Sequence, residues 1–154
     1  MSEKANDNAN VRIHPPVLMA IHLAAVFLLG WLVPITLPQW VEFIGWGVVV
    51  FGLVAAFSGL RQLIRAHTSP DPHAPTTSVV TTGVYRFTRN PIYLGYFCMT
   101  LGLPLIFGNV WGLVAAPVQA YLFNRLIITR EESYLSGKFE QDYLDYKSKV
   151  RRWV

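Results

Sequence analysis

The chain has 154 residues, of which 53% are hydrophobic and only 14% are charged. Soluble domains carry about 25% charged residues and need a polar coat over most of their surface, so this composition excludes an ordinary soluble domain. The formal net charge of +4 is accompanied by no recognisable nucleic-acid-binding motif, and we therefore expect no nucleic-acid partner.

The N-terminal segment is polar and carries both charge signs. It lacks the pattern of a cleaved signal peptide, because the first apolar run is too long for the hydrophobic region of such a signal. Residues 1–12 are therefore predicted to form a disordered cytoplasmic tail. The remainder, residues 13–154, is expected to form a single membrane domain.

Long apolar stretches without a charged residue recur along the chain, and such stretches of about 18 or more residues are typical of membrane-spanning helices. We expect spans at residues 17–35, 41–60, 91–107 and 110–128. The last two share one charge-free stretch that is too long for a single span, and Gly108 with the following asparagine supplies the dividing turn. The sequence thus predicts an all-α integral-membrane bundle.

The positions of the basic residues predict the orientation of these spans. All 13 Lys and Arg residues lie before the first span, between the second and third, or from the end of the fourth onward. Because basic residues concentrate in cytoplasmic loops, both termini and the loop of residues 61–90 are predicted to face the cytoplasm. The expected location is a membrane crossed several times by the chain, the inner membrane if the source is bacterial.

The C-terminal segment, residues 129–151, is predicted to form an amphipathic helix in the cytoplasmic membrane interface. Apolar and aromatic residues recur there at spacings of three and four, which is the helical period. They are Leu135, Phe139, Tyr143, Tyr146, Val150 and Trp153. The basic residues on the other faces suit lipid phosphates.

Charges of both signs are predicted to meet at the cytoplasmic ends of the third and fourth spans. Arg86 and Arg89 precede the third span, and Glu131 and Glu132 follow the fourth. Because the two spans form a hairpin, these ends are neighbours, and together they can hold a zwitterionic ligand and an amphiphile entering from the bilayer. The competing interpretation is that the glutamates are solvated or form ordinary ion pairs with nearby arginines.

A metal site is not expected from the sequence. His67, Asp71 and His73 lie close together, but three potential ligands in a Pro-rich loop are weak grounds for one.

Two motifs in a fixed order resemble one enzyme family. GVYRFTRNPIYLG, at residues 83–95, is followed after an apolar hairpin by REESYLSGKFEQDYLDYKSKVRRW, at residues 130–153. This pair resembles the isoprenylcysteine carboxyl methyltransferase family, a group related to integral-membrane phospholipid N-methyltransferases. The resemblance covers roughly residues 76–153. It departs at Asn90, where the family often has His, and at Glu140, where it often has Gly.

The resemblance implies a helical membrane enzyme that binds S-adenosylmethionine at the cytoplasmic membrane surface. Carried over residue by residue, the implied cofactor-binding residues are Tyr85, Arg89, Asn90, Pro91, Tyr93, Gly95, Glu131 and Glu132. The implied substrate-binding residues are Tyr143, Tyr146 and Arg151. Arg89 and Glu132 are expected to be catalytic.

The chemistry of the cofactor agrees with these residue types. A carboxylate can hold its ammonium group or ribose diol, and an arginine can hold a carboxylate through two hydrogen bonds. Tyrosine rings can pack on adenine or approach the sulfonium. Gly95 is expected to allow close approach of the cofactor to the third span. Arg89 or a C-terminal arginine is expected to orient an anionic acceptor group.

The expected activity is transfer of a methyl group from S-adenosylmethionine to a lipidic acceptor, foremost the carboxylate of an isoprenylcysteine-like amphiphile. An alternative is N-methylation of a phospholipid amine. Further alternatives are an NADPH-dependent membrane reductase, since membrane sterol reductases share a similar C-terminal architecture, and a non-catalytic membrane module. The expected partners are membrane lipids and a lipidic or prenylated small molecule, and the oligomeric state stays open.

Overall fold

The computed structural model describes residues 7–11 and 13–154, and all of its regular structure is helical. The long helices are α1 (Pro15–Leu32), α2 (Val41–Arg65), α3 (Pro91–Ile106), α4 (Trp111–Phe123) and α5 (Thr129–Lys149). A short 3-10 helix (Gly83–Arg86) precedes α3, and a π-helical turn (Asn124–Ile128) joins α4 to α5. The predicted all-α fold with four apolar segments and a long C-terminal helix is confirmed.

Glycines on α2 set its close contact with α3. Gly45 and Gly52 face the backbone carbonyls of Gly102 and Gly95, at 2.9 Å and 3.3 Å from where a Cβ atom would stand. The spacing of seven residues places them on one face of α2. Because helices approach closely where side chains are absent, these glycines fix the separation of the two helices. By contrast, Gly47 faces open space.

The outward faces of the first two helices are strongly apolar. α1 and α2 are long and apolar enough to cross a membrane, and α3 is a shorter apolar helix. Large side chains on their surface are exposed, including Trp31 at 78% and Phe43 at 77%. Contiguous apolar surface of this kind is typical of a protein that contacts lipid or a partner.

The two connections at one end of the bundle hold each other. Thr36 and Asn109 form an isolated antiparallel bridge between the α1–α2 and α3–α4 connections. The backbone N–H of Leu37 donates to the Gly108 carbonyl at 2.8 Å, and the Trp111 indole donates to the Val33 carbonyl at 3.0 Å. Both connections therefore lie on the same side of the bundle, opposite the chain termini.

The N-terminal strap, defined here as residues 7–11, is packed against the fold. Ala9 and Val11 are buried with the core cluster around Phe123. Lys138 Nζ lies 2.6 Å and 2.7 Å from the two carboxylate oxygens of Asp7. This part of the chain differs from the predicted disordered tail because it buries apolar side chains and forms an ion pair. Residues 1–6 and 12 of that tail lie outside the described residues.

α5 turns back on itself at Glu140, where φ is 44° and ψ is −119°. A straight helix would separate residues 132 and 147 by about 22 Å, yet Lys147 Nζ lies 3.2 Å from the carboxylate of Glu132. The two halves of α5 must therefore fold towards each other.

The aromatic stripe of α5 consequently faces the protein. Tyr143 and Tyr146 are buried against Tyr85 and the apolar part of the preceding loop, including Val79 and Val80. The amphipathic period predicts a helix but leaves open whether the stripe packs on the bundle or meets lipid, and in the structure the loop before α3 covers Tyr143 and Tyr146.

Candidate active site

A cavity of about 470 Å³ lies where α3 begins and α5 leaves the bundle. Its walls are mostly apolar and come from α2, the loop of residues 69–80, α3 and α5. Ligand-binding cavities have volumes of about 300–1,000 Å³, so the space suits a small molecule. The predicted site residues that line it are Tyr85, Arg89, Asn90, Pro91, Tyr93, Glu131, Glu132, Tyr143 and Tyr146.

The π-helical turn precedes both glutamates. It keeps the chain helical from α4 into α5, and Thr129 donates its hydroxyl to the Asn124 carbonyl at 2.6 Å. Such turns widen a helix locally and are frequent at functional sites. The turn sets the direction in which Glu131 and Glu132 leave the helix, and both line the cavity.

Glu132 lies at the centre of three cations. Its carboxylate is 3.1 Å from Arg89 Nη2 and 3.2 Å from Lys147 Nζ. Arg152 adds two hydrogen bonds of 2.8 Å, from Nε to Oε1 and from Nη2 to Oε2. Burial alone would raise the pKa of Glu132, but the Arg152 hydrogen bonds and the Arg89 charge outweigh it and lower that pKa. Glu132 is therefore an ionised group that holds basic side chains in place.

The C-terminal tail, residues 150–154, brings Arg152 to this cluster. The backbone N–H of Arg89 donates to the Arg151 carbonyl at 3.0 Å. The side-chain amide of Asn90 donates to the Arg152 carbonyl at 2.9 Å. These contacts tie the end of the chain to the start of α3, so the tail forms part of the site.

Glu131 presents its carboxylate to the cavity without a basic partner among the described residues. Its Oε1 accepts a hydrogen bond of 2.5 Å from the Tyr93 hydroxyl. Burial raises the pKa of Glu131 to about 7, the Tyr93 hydrogen bond and the nearby His73 imidazole oppose this rise, and the negative charge of Glu132 adds to it. The group thus changes protonation near neutral pH.

Arg89 retains an unused donor. Its Nη2 pairs with Glu132 and its Nη1 donates to the Tyr143 hydroxyl at 3.4 Å. Its Nε is buried and has no partner among the residues that the structure describes. A buried unpaired donor costs about 1–3 kcal/mol, and an anionic ligand group in the cavity can recover part of that cost.

Three tyrosines complete the polar lining. Burial raises the pKa of Tyr143 to about 12 and raises the pKa values of Tyr85 and Tyr146 above their ordinary range. All three are therefore neutral near pH 7. The Tyr146 hydroxyl donates to the Tyr85 carbonyl at 2.8 Å, which fixes the ring at the cavity wall.

Two predicted site residues lie away from the cavity. A Cβ atom on Gly95 would stand 2.6 Å from the Ala56 Cβ, so Gly95 serves the contact between α2 and α3 and does not line the cavity. The side chain of Arg151 is exposed and does not line the cavity, in contrast to the expected substrate contact. The neighbouring Arg152 does not line the cavity either, but it bonds to the carboxylate of Glu132, which does.

Arg152 and Lys147 were not singled out by the sequence reasoning. Lys147 reaches Glu132 only because α5 reverses at Glu140. The one signal in the sequence was the resemblance itself, in which Gly often stands at position 140, since glycine is the residue that accepts such a backbone conformation.

Comparison with known proteins identifies the class of this protein. The model of the phospholipid methyltransferase family matches residues 40–142. The chain belongs to this family, whose members use S-adenosylmethionine and include membrane enzymes related to isoprenylcysteine O-methyltransferases. The family prediction made from the two motifs is thus confirmed.

Individual relatives show the same relationship. The chain is 31% identical over 118 residues to a protein-S-isoprenylcysteine O-methyltransferase of Xenopus laevis, covering 72% of this chain and 39% of that protein. It is 30% identical over 118 residues to the protein of the same name in Homo sapiens, covering 72% and 40%. For the Saccharomyces cerevisiae protein of that name the figures are 39% identity over 72 residues, 47% and 30%. The chain thus spans about two fifths of the first two relatives.

Proposed function

We propose that this protein is an integral-membrane methyltransferase that transfers a methyl group from S-adenosylmethionine to a lipidic acceptor, foremost the carboxylate of an isoprenylcysteine-like amphiphile. The observation that carries the proposal is the cavity at the end of an apolar bundle, in which Glu131 and Arg89 offer opposite charges. The family of the chain supports the same activity.

The cavity residues fit S-adenosylmethionine, which supplies an electrophilic methyl group on a sulfonium. Glu131, which has no basic partner among the described residues, suits the ammonium group or the ribose diol of the cofactor. The unpaired Nε of Arg89 suits a carboxylate of the cofactor or of the acceptor. The tyrosine rings supply flat surfaces for adenine and for a cation. Glu132 acts indirectly, by holding Arg89 in place.

A carboxylate acceptor needs no proton acceptor. Its oxygen attacks the methyl carbon while the bond from that carbon to sulfur breaks, and opposite charges are neutralised. A cavity with mostly apolar walls favours this step, provided that Arg89 orients the acceptor. The expected catalytic contribution of Arg89 is therefore orientation of the attacking group.

A second candidate is N-methylation of a phospholipid amine, and one observation favours it. An amine must lose a proton before it attacks, and Glu131, whose pKa is raised to about 7 by burial, is suited to accept one. The choice between acceptors therefore depends on whether Glu131 serves the cofactor or the amine.

We propose four membrane spans with both termini in the cytoplasm. The exposed apolar faces of α1 and α2 and the confinement of all Lys and Arg residues to one predicted side support this arrangement. The acceptor would then reach the cavity at the cytoplasmic surface of the bilayer.

Titration calorimetry with the detergent-purified protein tests the proposal. S-adenosylhomocysteine is expected to bind and NADPH is not. Glu131→Gln should weaken the binding at least tenfold, whereas Glu42→Gln, at the opposite end of the bundle, should leave it unchanged. If folded protein binds neither compound, the proposed enzyme class is wrong, and preference for NADPH would indicate a reductase. Methyl transfer from labelled cofactor to a prenylated cysteine analogue or to a phospholipid amine then identifies the acceptor.

A further inference from the structure

The rim of the cavity carries a cluster of metal-ligating side chains from two separate segments. His14 directly precedes α1, while Asp71 and His73 lie in the loop before α3. One candidate ligand atom from each of the three lies within 4.8 Å of the others. His67, which is nearer to Asp71 in sequence than His14 is, takes no part in this cluster. The second histidine of the cluster is instead His14, which lies more than fifty residues before Asp71 in the sequence.

The hydrogen bonds of His73 fix which of its nitrogens can bind an ion. Its Nε2 lies 2.8 Å from the Val11 carbonyl oxygen, and since a carbonyl only accepts, Nε2 carries the hydrogen. In the neutral ring the Nδ1 atom then bears a lone pair. Histidine ligands in metal sites usually donate their other N–H to a backbone carbonyl or carboxylate in this way.

The lone pair of His73 Nδ1 points at another electron-rich atom. Asp71 Oδ1 lies 3.0 Å from it, and two acceptors at this distance need a positive charge between them. A proton or a metal ion satisfies the pair. The ring of His14 lies beside that of His73, with centroids 4.0 Å apart. One of its candidate ligand atoms lies within 4.8 Å of the other two, so His14 can supply a third ligand once the two rings turn.

The geometry and the donor set suit a zinc-type ion. Two ligand atoms bound tetrahedrally to zinc at about 2.1 Å lie about 3.4 Å apart, so candidate ligand atoms as far apart as 4.8 Å need to approach by about 1.4 Å. His14 and Asp71 are exposed and His73 is half-buried, which leaves their side chains free to rotate and gives an ion a path from solvent. Three protein ligands with an open position for water are the usual set in catalytic zinc sites.

We propose that His14, Asp71 and His73 form a binding site for a divalent metal ion of the zinc type. This site is separate from the cluster around Glu132 and does not depend on the proposed methyl transfer. The ion would join the start of α1 to the loop over the cavity. The strap just before α1 also meets this loop, through the hydrogen bond from the Ala9 N–H to the Pro72 carbonyl at 3.2 Å. Bound metal is therefore expected to stabilise the packing of the N-terminal segment on the loop.

Metal titration of the full chain, purified without a histidine tag and treated with chelator, tests this proposal. Zn²⁺ is expected to bind with a stoichiometry of one, and Co²⁺ should give the visible absorption of a four-coordinate site. His14→Ala and His73→Ala should each weaken Zn²⁺ binding at least tenfold. The matched control His67→Asn removes an imidazole from the same loop, in a residue with φ of 53° that Asn tolerates, and should bind as the unaltered protein does.

The titration decides whether a metal ion or a proton lies between His73 Nδ1 and Asp71 Oδ1. If Zn²⁺ does not bind saturably, the positive charge between His73 and Asp71 is a proton and the proposal is wrong. Equal Zn²⁺ binding by the unaltered protein and by both His→Ala proteins would likewise overturn it. His14→Ala keeps this decision available if His73→Ala fails to fold, because the hydrogen bond to the Val11 carbonyl remains. Binding of S-adenosylhomocysteine is measured separately and decides only the proposed enzyme activity.

Discussion

Glu132 joins three separate segments of the chain through ion pairs. Its carboxylate receives Arg89 from the start of α3, Lys147 from the second half of α5 and Arg152 from the tail. Removal of one partner from a buried ion pair leaves the remaining charges uncompensated, which is more costly than loss of an exposed pair.

Glu132→Gln should therefore lower the free energy of unfolding by about 2 kcal/mol and the thermal midpoint by roughly 5 °C. The expected loss of unfolding free energy is smaller than for a fully buried ion pair, because Lys147 and Arg152 are partly exposed. Thermal unfolding of the detergent-purified protein measures the change. Asp142→Asn, which alters an exposed carboxylate on the same helix, should leave the midpoint unchanged. An unchanged midpoint in Glu132→Gln would show that the ion pairs of Glu132 do not stabilise the fold.

The pH dependence of stability follows from the lowered pKa of Glu132. A carboxylate whose pKa is lower in the folded than in the unfolded protein stabilises the fold above its ordinary value of 4.5. The stabilisation is lost as the pH falls through the lowered folded pKa. Unaltered protein should thus lose stability more steeply below pH 4.5 than Glu132→Gln does, and parallel curves would contradict this assignment.

The pKa of Glu131 predicts how ligand affinity changes with pH. If the ionised carboxylate holds the ammonium group of S-adenosylhomocysteine, affinity should rise roughly tenfold from about pH 6 to about pH 8, because the pKa of Glu131 is about 7. Calorimetric titrations across this range measure the effect. The same titrations of Glu131→Gln should give a nearly flat profile. A pH dependence that survives in this variant would assign it to another group.

At the residue scale, the sequence predicted most of the residues that line the cavity, but not the hydrogen bonds and ion pairs that these residues form. The charges of Arg89 and the two glutamates stood out because these residues flank the apolar hairpin of the last two predicted spans. The bond from Asn90 to the Arg152 carbonyl joins residues 62 apart, and no local pattern encodes such a distance. No local pattern distinguishes Arg151 from Arg152 either. The sequence selected Arg151, whereas in the structure Arg152 bonds to Glu132.

At the element scale, the reversal of α5 depends on one strained residue. Glu140 has φ of 44° and ψ of −119°, a conformation that costs a residue with a Cβ atom about 1–3 kcal/mol. Glu140→Gly should therefore raise the free energy of unfolding by about 1 kcal/mol, even though glycine also gains entropy in the unfolded chain. Thermal unfolding measures the difference. Glu140→Ala keeps the Cβ atom and should give no such gain; equal stabilisation by both changes would mean that the backbone strain is absent.

The contact between α2 and α3 is a second determinant at this scale. A Cβ atom on Gly95 would stand 2.8 Å from the Gly52 carbonyl oxygen and 2.6 Å from the Ala56 Cβ. Gly95→Ala must push the helices apart and should lower the free energy of unfolding by about 1–3 kcal/mol. Gly47→Ala, on the same bundle but facing open space, should be neutral or slightly stabilising. Equal effects of the two changes on thermal unfolding would show that helix separation is not limiting.

The element bounds themselves were largely predictable. The gaps between charged residues located all four apolar segments, and the prolines at the starts of α1 and α3 marked where two of them begin. The sequence periodicity also located α5, but it did not show the reversal at Glu140. That one residue with positive φ brings the aromatic stripe onto the loop before α3, and a periodic pattern does not register such a reversal.

At the scale of the whole molecule, the basic residues that the structure describes lie towards the cavity end, while the opposite connections carry none. The bridge between Thr36 and Asn109 places both opposite connections on one side. If α1 and α2 cross the bilayer, as their length and composition allow, the hairpin of α3 and α4 is held to the same depth by this bridge. α3, with 16 residues, is shorter than a full span, so the local bilayer would have to thin around it.

This arrangement predicts which positions a membrane-impermeant maleimide can label. The lone Cys98 is buried, so Cys98→Ala supplies a background without cysteine for Gln39→Cys, Phe107→Cys and Ser148→Cys, all at exposed positions. In sealed vesicles with the outer face exposed, the first two should be labelled and the third only after permeabilisation. Labelling of Phe107→Cys solely after permeabilisation would place the α3–α4 connection on the cytoplasmic side, and two spans would then replace the four. Labelling of Ser148→Cys from outside would show that the orientation is the reverse of the proposed one, and that the cavity does not face the cytoplasm.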